Sequence, residues 1–384
     1  GTSAPAAITI TKATPTVTAT GNTCVFNGTP CSGSGAVTGI GSVPLLPPVT
    51  LSYVGTGYGP TATAPTNAGS YQVTASFAGN DNYNPGTSAP AALTINKATP
   101  TATLNVTNSP QPYNGSGQSA AVGITASSVS GSVANILTGG SATQTNAGTY
   151  AVTADFVPTD TANYNTLTGL SAGNFQITTI NPTVTATGAT CTFNGTPCPG
   201  NGSATGLAGV TLTPAFTLSY VGTGTTAYGP SATAPTNAGT YQVTANFAGN
   251  TNYNPGTSAP AVITINKATP TVTASGNTCV YSGSACSGSG TATGVGGTLT
   301  PAVTLSYVGT GYGPTATAPT NAGTYQVTAT FAGNDNYFSG TSAPAAVTIN
   351  KATPTATLNV TNSPQPYNGS DQSAAVGITA SSVS

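Results

Sequence analysis

The sequence contains no His, no Trp and no Met. It also lacks Arg and Glu: the four basic residues are Lys12, Lys97, Lys267 and Lys351, and the five acidic ones are Asp81, Asp155, Asp160, Asp335 and Asp371. Charged residues make up 2% of the chain, against about 25% in ordinary soluble domains. Each absence removes a class of chemistry. General acid–base work relies on His or on tuned carboxylates and lysines. Metal centres need clustered His, Cys, Asp or Glu. A nucleic-acid surface needs a field of Lys and Arg that displaces counterions. The sequence supplies none of these, so no catalytic residue, no cofactor, no metal site and no nucleic-acid partner is expected. No run of about 18 apolar residues is present to span a membrane, and no stretch reads as a signal peptide.

What is present points to strands. Hydrophobic residues are 37% of the chain, Tyr alone occurs 17 times, and Thr and Val abound. β-Branched and aromatic residues suit a pleated, half-buried surface. The 49 Gly and 30 Pro fall between apolar runs, where turns need them.

Internal repetition decides the architecture. The string ATAPTNAG-[ST]-YQVTA occurs at 62–75, 232–245 and 316–329, with a looser copy, SATQTNAGTYAVTA, at 141–154. An aromatic and an Asn/Tyr loop follow, as in FAGNDNYNPGTSAP at 77–90, and each repeat closes on a short apolar strand and a join such as LTINKATPT. The join proline recurs at Pro15, Pro100, Pro182, Pro270 and Pro354, in steps of 85, 82, 88 and 84 residues. Steps of that size are small β-sandwich domains rather than solenoid rungs.

There are two domain types. Type A carries a Cys pair and covers 12–96, 181–266 and 267–350; type B lacks it and covers 97–180 and, in part, 351–384. Residues 97–130 and 351–384 differ only at Gly117 and Asp371, so the order A-B-A-A-B implies a super-repeat of 254 residues. Residues 1–11 read as the last strand of a preceding domain. With no Met and a last repeat broken off, the chain is expected to be a stretch of a longer protein. Completion of the ends by neighbouring subunits fits less well, since 11 leading and 34 trailing residues fall short of one domain.

In the first type A domain, short runs at 14–20, 24–27, 36–38, 49–54, 61–64, 71–77 and 91–95 alternate with Gly, Pro or Asn. Seven short strands in roughly 85 residues is the immunoglobulin-like pattern, and no segment shows helical spacing. Tyr71, Tyr150, Tyr241 and Tyr325 resemble the corner tyrosine of such domains, whose hydroxyl bonds back to the preceding loop. Joins of about four residues, stiffened by Pro and without a Gly/Ser hinge, imply a semi-rigid rod of roughly 40 Å per domain.

The six Cys form three pairs bracketing a turn: Cys24/Cys31, Cys191/Cys198 and Cys279/Cys286. Two Cys per domain without His are too few for a metal, so three disulfides are expected, each stapling a hairpin and adding about 2 kcal/mol. Disulfides place the protein outside a reducing cytosol, extracellular or at a cell surface. Type B keeps the turn, in SPQPYNGSGQS, without the staple.

The KATPTVT joins, the FNGTP/YNGS turn, the NAGTYQVTA strand and the GNxNYNP loop together resemble bacterial immunoglobulin-like (Big/MBG-type) repeat domains. These occur in tandem in large surface and secreted proteins, including adhesins, where they act as stalks, spacers and fibre subunits. The resemblance covers essentially the whole chain. It implies an all-β chain of tandem sandwiches with no active site.

A structural role therefore leads: a filament, fibre or sheath component that self-associates, because a net charge of −1 leaves almost no repulsion between copies. The alternative is the stalk of a large adhesin. Thr-x-Thr strings also raise a carbohydrate- or ice-binding module, but sandwich sheets twist and Thr arrays for ice are flat. One Asp in each GNDNY loop, Asp81 and Asp335, is thin for Ca²⁺, which takes 6–8 oxygens. Asn27, Asn105, Asn114, Asn194, Asn201, Asn359 and Asn368 head N-x-S/T sequons and are candidate acceptors for N-linked sugar.

Overall fold

A computed structural model describes residues 2–382. The described chain is strand and turn, with two short 3₁₀ turns at Ile40–Ser42 and Leu207–Gly209 and no α-helix. It divides into two compact units, Gly1–Ile180 with Thr251–Asn254, and Asn181–Asn250 with Pro255–Ser384. Gly1, Val383 and Ser384, which the sequence-based boundaries include, lie outside the described residues.

In the first unit, the first type A domain has eight strands: β1 (Thr16–Thr20), β2 (Thr23–Val25), β3 (Ser34–Thr38), β4 (Thr50–Gly55), β5 (Tyr58–Thr61), β6 (Gly69–Phe77), β7 (Gly86–Thr87) and β8 (Ala91–Asn96). One sheet is β1 paired antiparallel with β3; the other runs β2-β8-β6-β4-β5, with β7 on the far half of β6. The chain crosses between sheets at Gly21. A Cβ there would sit 1.6 Å from the Ala92 carbonyl oxygen, and the same collision recurs at Gly188 and Gly276. Only glycine lets the first strand change sheets at this point.

Period-two patterning builds the core. On β6, Val73, Ala75 and Phe77 are buried while Ser70 and Gln72 face solvent. Tyr53, Leu93, Ile95 and Cys31 close the same cluster. Ser88, also buried, clasps the end of the sheet: its hydroxyl accepts from the Ala75 amide at 3.0 Å and donates to the Ala89 carbonyl at 2.8 Å. Ser258 and Ser342 repeat the first of these bonds in the other type A domains.

The type B domain that follows has β9 (Ala102–Val106), β10 (Gln111–Pro112), β11 (Val122–Ser127), β12 (Gly131–Thr138), β13 (Gly148–Pro158) and β14 (Leu167–Thr178). Its β9–β11 pair covers a four-stranded sheet, β10-β14-β13-β12, around Leu104, Val152, Ala154, Phe175 and Ile177.

In the second unit, residues 181–250 with 255–266, and residues 267–350, repeat the type A scheme, with cores centred on Val243 and Ile263, and on Val327 and Val347. Residues 351–382 form one antiparallel pair, Ala356–Val360 with Val376–Ser381.

Residues 2–11, within the stretch 1–11 read as the closing strand of a preceding domain, form no strand here, and Ile8 and Ile10 are about nine-tenths exposed. Two expectations are corrected. The fifth strand lies at Tyr58–Thr61 rather than 61–64, because it turns back onto β4 immediately after Gly57. The Cys pair does not staple a hairpin: β2 and β3 belong to different sheets.

Candidate functional site: the joint between domains

The join Lys-Ala-Thr-Pro enters the type B domain and the third type A domain beside that domain's own Asn–Tyr loop. Ala98 bridges Tyr164 in the type B domain, and Ala268 bridges Tyr337 in the third type A domain. The loop then reaches back to the domain before it.

In the first unit, Asn163 is buried and its Oδ1 accepts a hydrogen bond from the Ala68 amide at 2.8 Å. Ala68 belongs to the Asn-Ala-Gly turn that precedes corner tyrosine Tyr71. Asp160 holds Asn163 in place: its carboxylate accepts from the Asn163 backbone amide at 3.1 Å and from Nδ2 at 2.8 Å. Alongside, the ring of Tyr164 meets Phe26 edge-to-face at 5.3 Å. Lys97 Nζ donates to the Thr161 carbonyl at 2.6 Å and ties the join to the loop.

In the second unit, the Ala238 amide donates to Asn336 Oδ1 at 2.8 Å, and Asn336 Nδ2 donates to Asn237 Oδ1 at 3.3 Å. Tyr337 meets Phe193 edge-to-face at 5.4 Å. Here the ring is buried, and its hydroxyl accepts from the Val295 amide at 2.6 Å. Gly294 makes room for it, since a Cβ there would fall 2.4 Å from the ring. Asn334 shapes this loop by accepting from the Asn336 and Tyr337 amides at 3.0 and 2.9 Å. Lys267 Nζ donates to the Asn334 carbonyl at 2.7 Å.

Both joints thus combine one amide clamp on a backbone N–H with one pair of rings. The clamp satisfies a donor that a turn leaves unpaired, and edge-to-face ring pairs contribute about 0.5–1.5 kcal/mol beyond the area they bury.

The sequence-derived residues surround this joint. The corner hydroxyls of Tyr71, Tyr150, Tyr241 and Tyr325 each donate to the carbonyl four residues back, Asn67, Asn146, Asn237 and Asn321, at 2.7–3.0 Å. After Asn67, Asn146 and Asn237 the next residue, Ala68, Ala147 or Ala238, supplies a clamped amide. Burial, with the nearby Tyr58, pushes the Tyr71 hydroxyl above the usual tyrosine range, and burial with Tyr228 does the same for Tyr241. Burial raises Tyr220 as well, against a hydrogen bond with Gly200 that opposes it.

The three disulfides are formed, with Cα–Cα distances of 6.2, 6.2 and 6.0 Å. Cys31, Cys198 and Cys286 are buried in the cores. Each bridge pins the turn bearing Phe26, Phe193 or Tyr281, so it holds the ring side of the socket. The Cys31 amide donates to the Pro65 carbonyl at 2.9 Å, just ahead of the Asn-Ala-Gly turn.

All seven sequon Asn residues are exposed. Asn27 and Asn194 sit in the disulfide turn, where Oδ1 accepts both the backbone amide and the hydroxyl of Thr29 or Thr196. Asn114 and Asn368 make the corresponding amide bond to Ser116 and Ser370. Asn105, Asn201 and Asn359 lie on strands.

Asp81 and Asp335 are exposed in their loops. Among the described residues no three His, Cys, Asp or Glu side chains converge as a metal site. Asp155, on β13, accepts from Asn135 Nδ2 at 2.7 Å and from the Gly169 amide at 2.8 Å, and these bonds hold its carboxyl below the usual range.

This is a chain of tandem immunoglobulin-like β-sandwiches. Residues 13–99 and 270–353 match the family model of the MBG domain, so the chain carries MBG-type repeats. No curated protein matches the chain in sequence. Among solved structures it is similar to Sidekick-1 immunoglobulin domains 1–4 (11% identity, 87% of this chain and 99% of that one, TM-score 0.20). It is similar to Drosophila N-cadherin EC1-4 (8%, 73% and 83%, 0.19) and to surface layer protein SbsC, domains 1–6 (14%, 91% and 56%, 0.20).

Proposed function

We propose that this protein is a non-catalytic structural component of the extracellular space, built to associate with copies of itself into filaments or a sheath. One observation carries the reading: no strand of the three type A domains bears a charged residue. Their outer faces are rows of hydroxyls. In the third type A domain, Thr271, Thr273 and Ser275 lie opposite Thr293, Thr291 and Ser289, all exposed, with Thr273 and Thr291 hydroxyls 2.9 Å apart. The equivalent pair in the second domain, Thr185 and Ser203, is 2.7 Å apart.

Two such faces meet without like-charge repulsion, and hydroxyls exchange partners across an interface at little cost. The disulfides support an oxidising location. Sugar on Asn27 or Asn194 would decorate the turns and leave these faces bare.

Sedimentation over a range of concentrations tests the reading. Self-association that is insensitive to salt between about 0.05 and 0.5 M is expected, because the type A strand faces carry no charges for salt to screen. A chain that stays monomeric throughout, or associates only at low salt, would overturn it.

A further inference from the structure

Two of the sockets described above are filled, one by Asn163–Tyr164 and the other by Asn336–Tyr337. The third type A domain carries the same socket, which no described residue fills. Tyr281 stands where Phe26 and Phe193 stand, and it is 47% exposed. Asn321 and Ala322 match Asn67–Ala68 and Asn237–Ala238; the carbonyl of Asn321 already receives the corner hydroxyl of Tyr325 at 3.0 Å. The Ala322 amide meets no acceptor among the described residues, although its counterparts Ala68, Ala147 and Ala238 are all clamped. Lys351 matches Lys97 and Lys267, whose ammonium groups bond a loop carbonyl, and it too has no such partner. With Ala352 these residues line an open cleft of about 350 Å³.

We propose that this surface is a docking site for the Asn–Tyr loop of a type B domain. The occupant follows from the sequence beside the socket. Residues 351–384 repeat 97–130 with the single change of Gly117 to Asp371, and the domain begun by 97–130 is the one that presents Asp160, Asn163 and Tyr164. The exposed faces agree. Leu104 is 5% exposed under its four-stranded sheet, while its counterpart Leu358 is 62% exposed. In the docked state the loop Asn accepts from the Ala322 amide, its Nδ2 faces Asn321, the loop Tyr meets Tyr281 edge-to-face, and Lys351 bonds the loop backbone. This rests on the joint geometry and not on self-association.

The test extends the full chain after Ser384 by a second copy of residues 131–180 and follows hydrogen exchange. The Ala322 amide should slow by about tenfold or more on gaining its acceptor. Asn→Ala at the appended counterpart of Asn163 should restore the original rate while the appended strands stay protected. A folded appended domain with Ala322 exchanging as before would overturn the proposal, as would protection that survives the Asn→Ala change. A second arm needs no added residues. In the unaltered chain the Ala238 amide should exchange about tenfold more slowly than Ala322, and Asn336→Ala should bring the two together. Equal rates at Ala238 and Ala322 from the outset would equally refute it.

Discussion

The first joint leans on an amide and the second on a ring. Asn163 is buried and held by a carboxylate, while Tyr164 is only half-buried. At the second joint Asn336 is half-buried and Tyr337 is buried, with its hydroxyl bonded to Val295. The loops explain the exchange. The type B loop places two residues between Asp160 and Asn163, so one carboxylate grips both the backbone and the side chain of the clamp. The type A loop places one residue between Asn334 and Asn336, so Asn334 spends its oxygen on two backbone amides and the tyrosine seats deeper beside Gly294. One geometry is reached through two distributions of energy, which is what a repeat protein needs if different domains are to be joined in series.

Substitutions should expose that difference. Tyr337→Ala removes a buried ring and a bonded hydroxyl and should destabilise the third type A domain by about 3–5 kcal/mol; Tyr164→Ala, at a half-buried ring, should cost clearly less. Equal losses in denaturant unfolding would erase the contrast. Reducing the three disulfides should remove about 2–3 kcal/mol from each type A domain, as expected for short loops, and nothing from type B. Domain-resolved hydrogen exchange separates the two, and a parallel loss in type B would mean that the staples act on the whole chain.

Asn163→Ala leaves the Ala68 amide without an acceptor and takes a donor from Asp160, so about 1–3 kcal/mol is expected. Asn336→Ala should fall at the low end of that range, because its clamp is nearer water. The order of the two Asn effects is therefore opposite to that of the two Tyr effects, and unfolding of the four single variants checks it.

The smallest effect is in pH. Burial holds Tyr71, Tyr220 and Tyr241 above the usual tyrosine range. The unfolded chain therefore ionises first at these positions, and the first and second type A domains should lose stability as pH rises past about 10. Asp155 is held below the usual carboxylate range, so its contribution to type B is present above about pH 4 and is lost as pH falls through the lower folded value. Between about pH 5 and 9, where no His titrates, melting temperature should be flat; a slope there would contradict these assignments.

Much of the fold was readable because its signals are local. Alternation on β6, the spacing of the join prolines and the C-x6-C pairs each need only a few neighbouring residues. The corner tyrosines were legible for the same reason, since the bond they make spans four residues. What depended on contacts some 95–100 residues apart was not: Asn163 to Ala68, and Asn336 to Ala238. The repeated Asn-Tyr in GNDNY and GNTNY was visible as a motif, yet its partner is a backbone amide in another domain, and amides carry no sequence signature. Gly21, Gly188 and Gly276 carry no local mark of their role, a close approach to a carbonyl. Ser88 was hidden in the same way, as one hydroxyl among many. The disulfide was expected in a hairpin because the turn between its cysteines looks like one; the change of sheet at Gly21 makes it a brace for the socket instead.

The function proposed for these neutral, hydroxyl-lined domains is self-association. Electron microscopy of the purified protein at low concentration tests it most directly. Ordered multi-chain filaments with a regular axial repeat are predicted. Chains that lie singly on the grid at every concentration, with no lateral register between them, would contradict it.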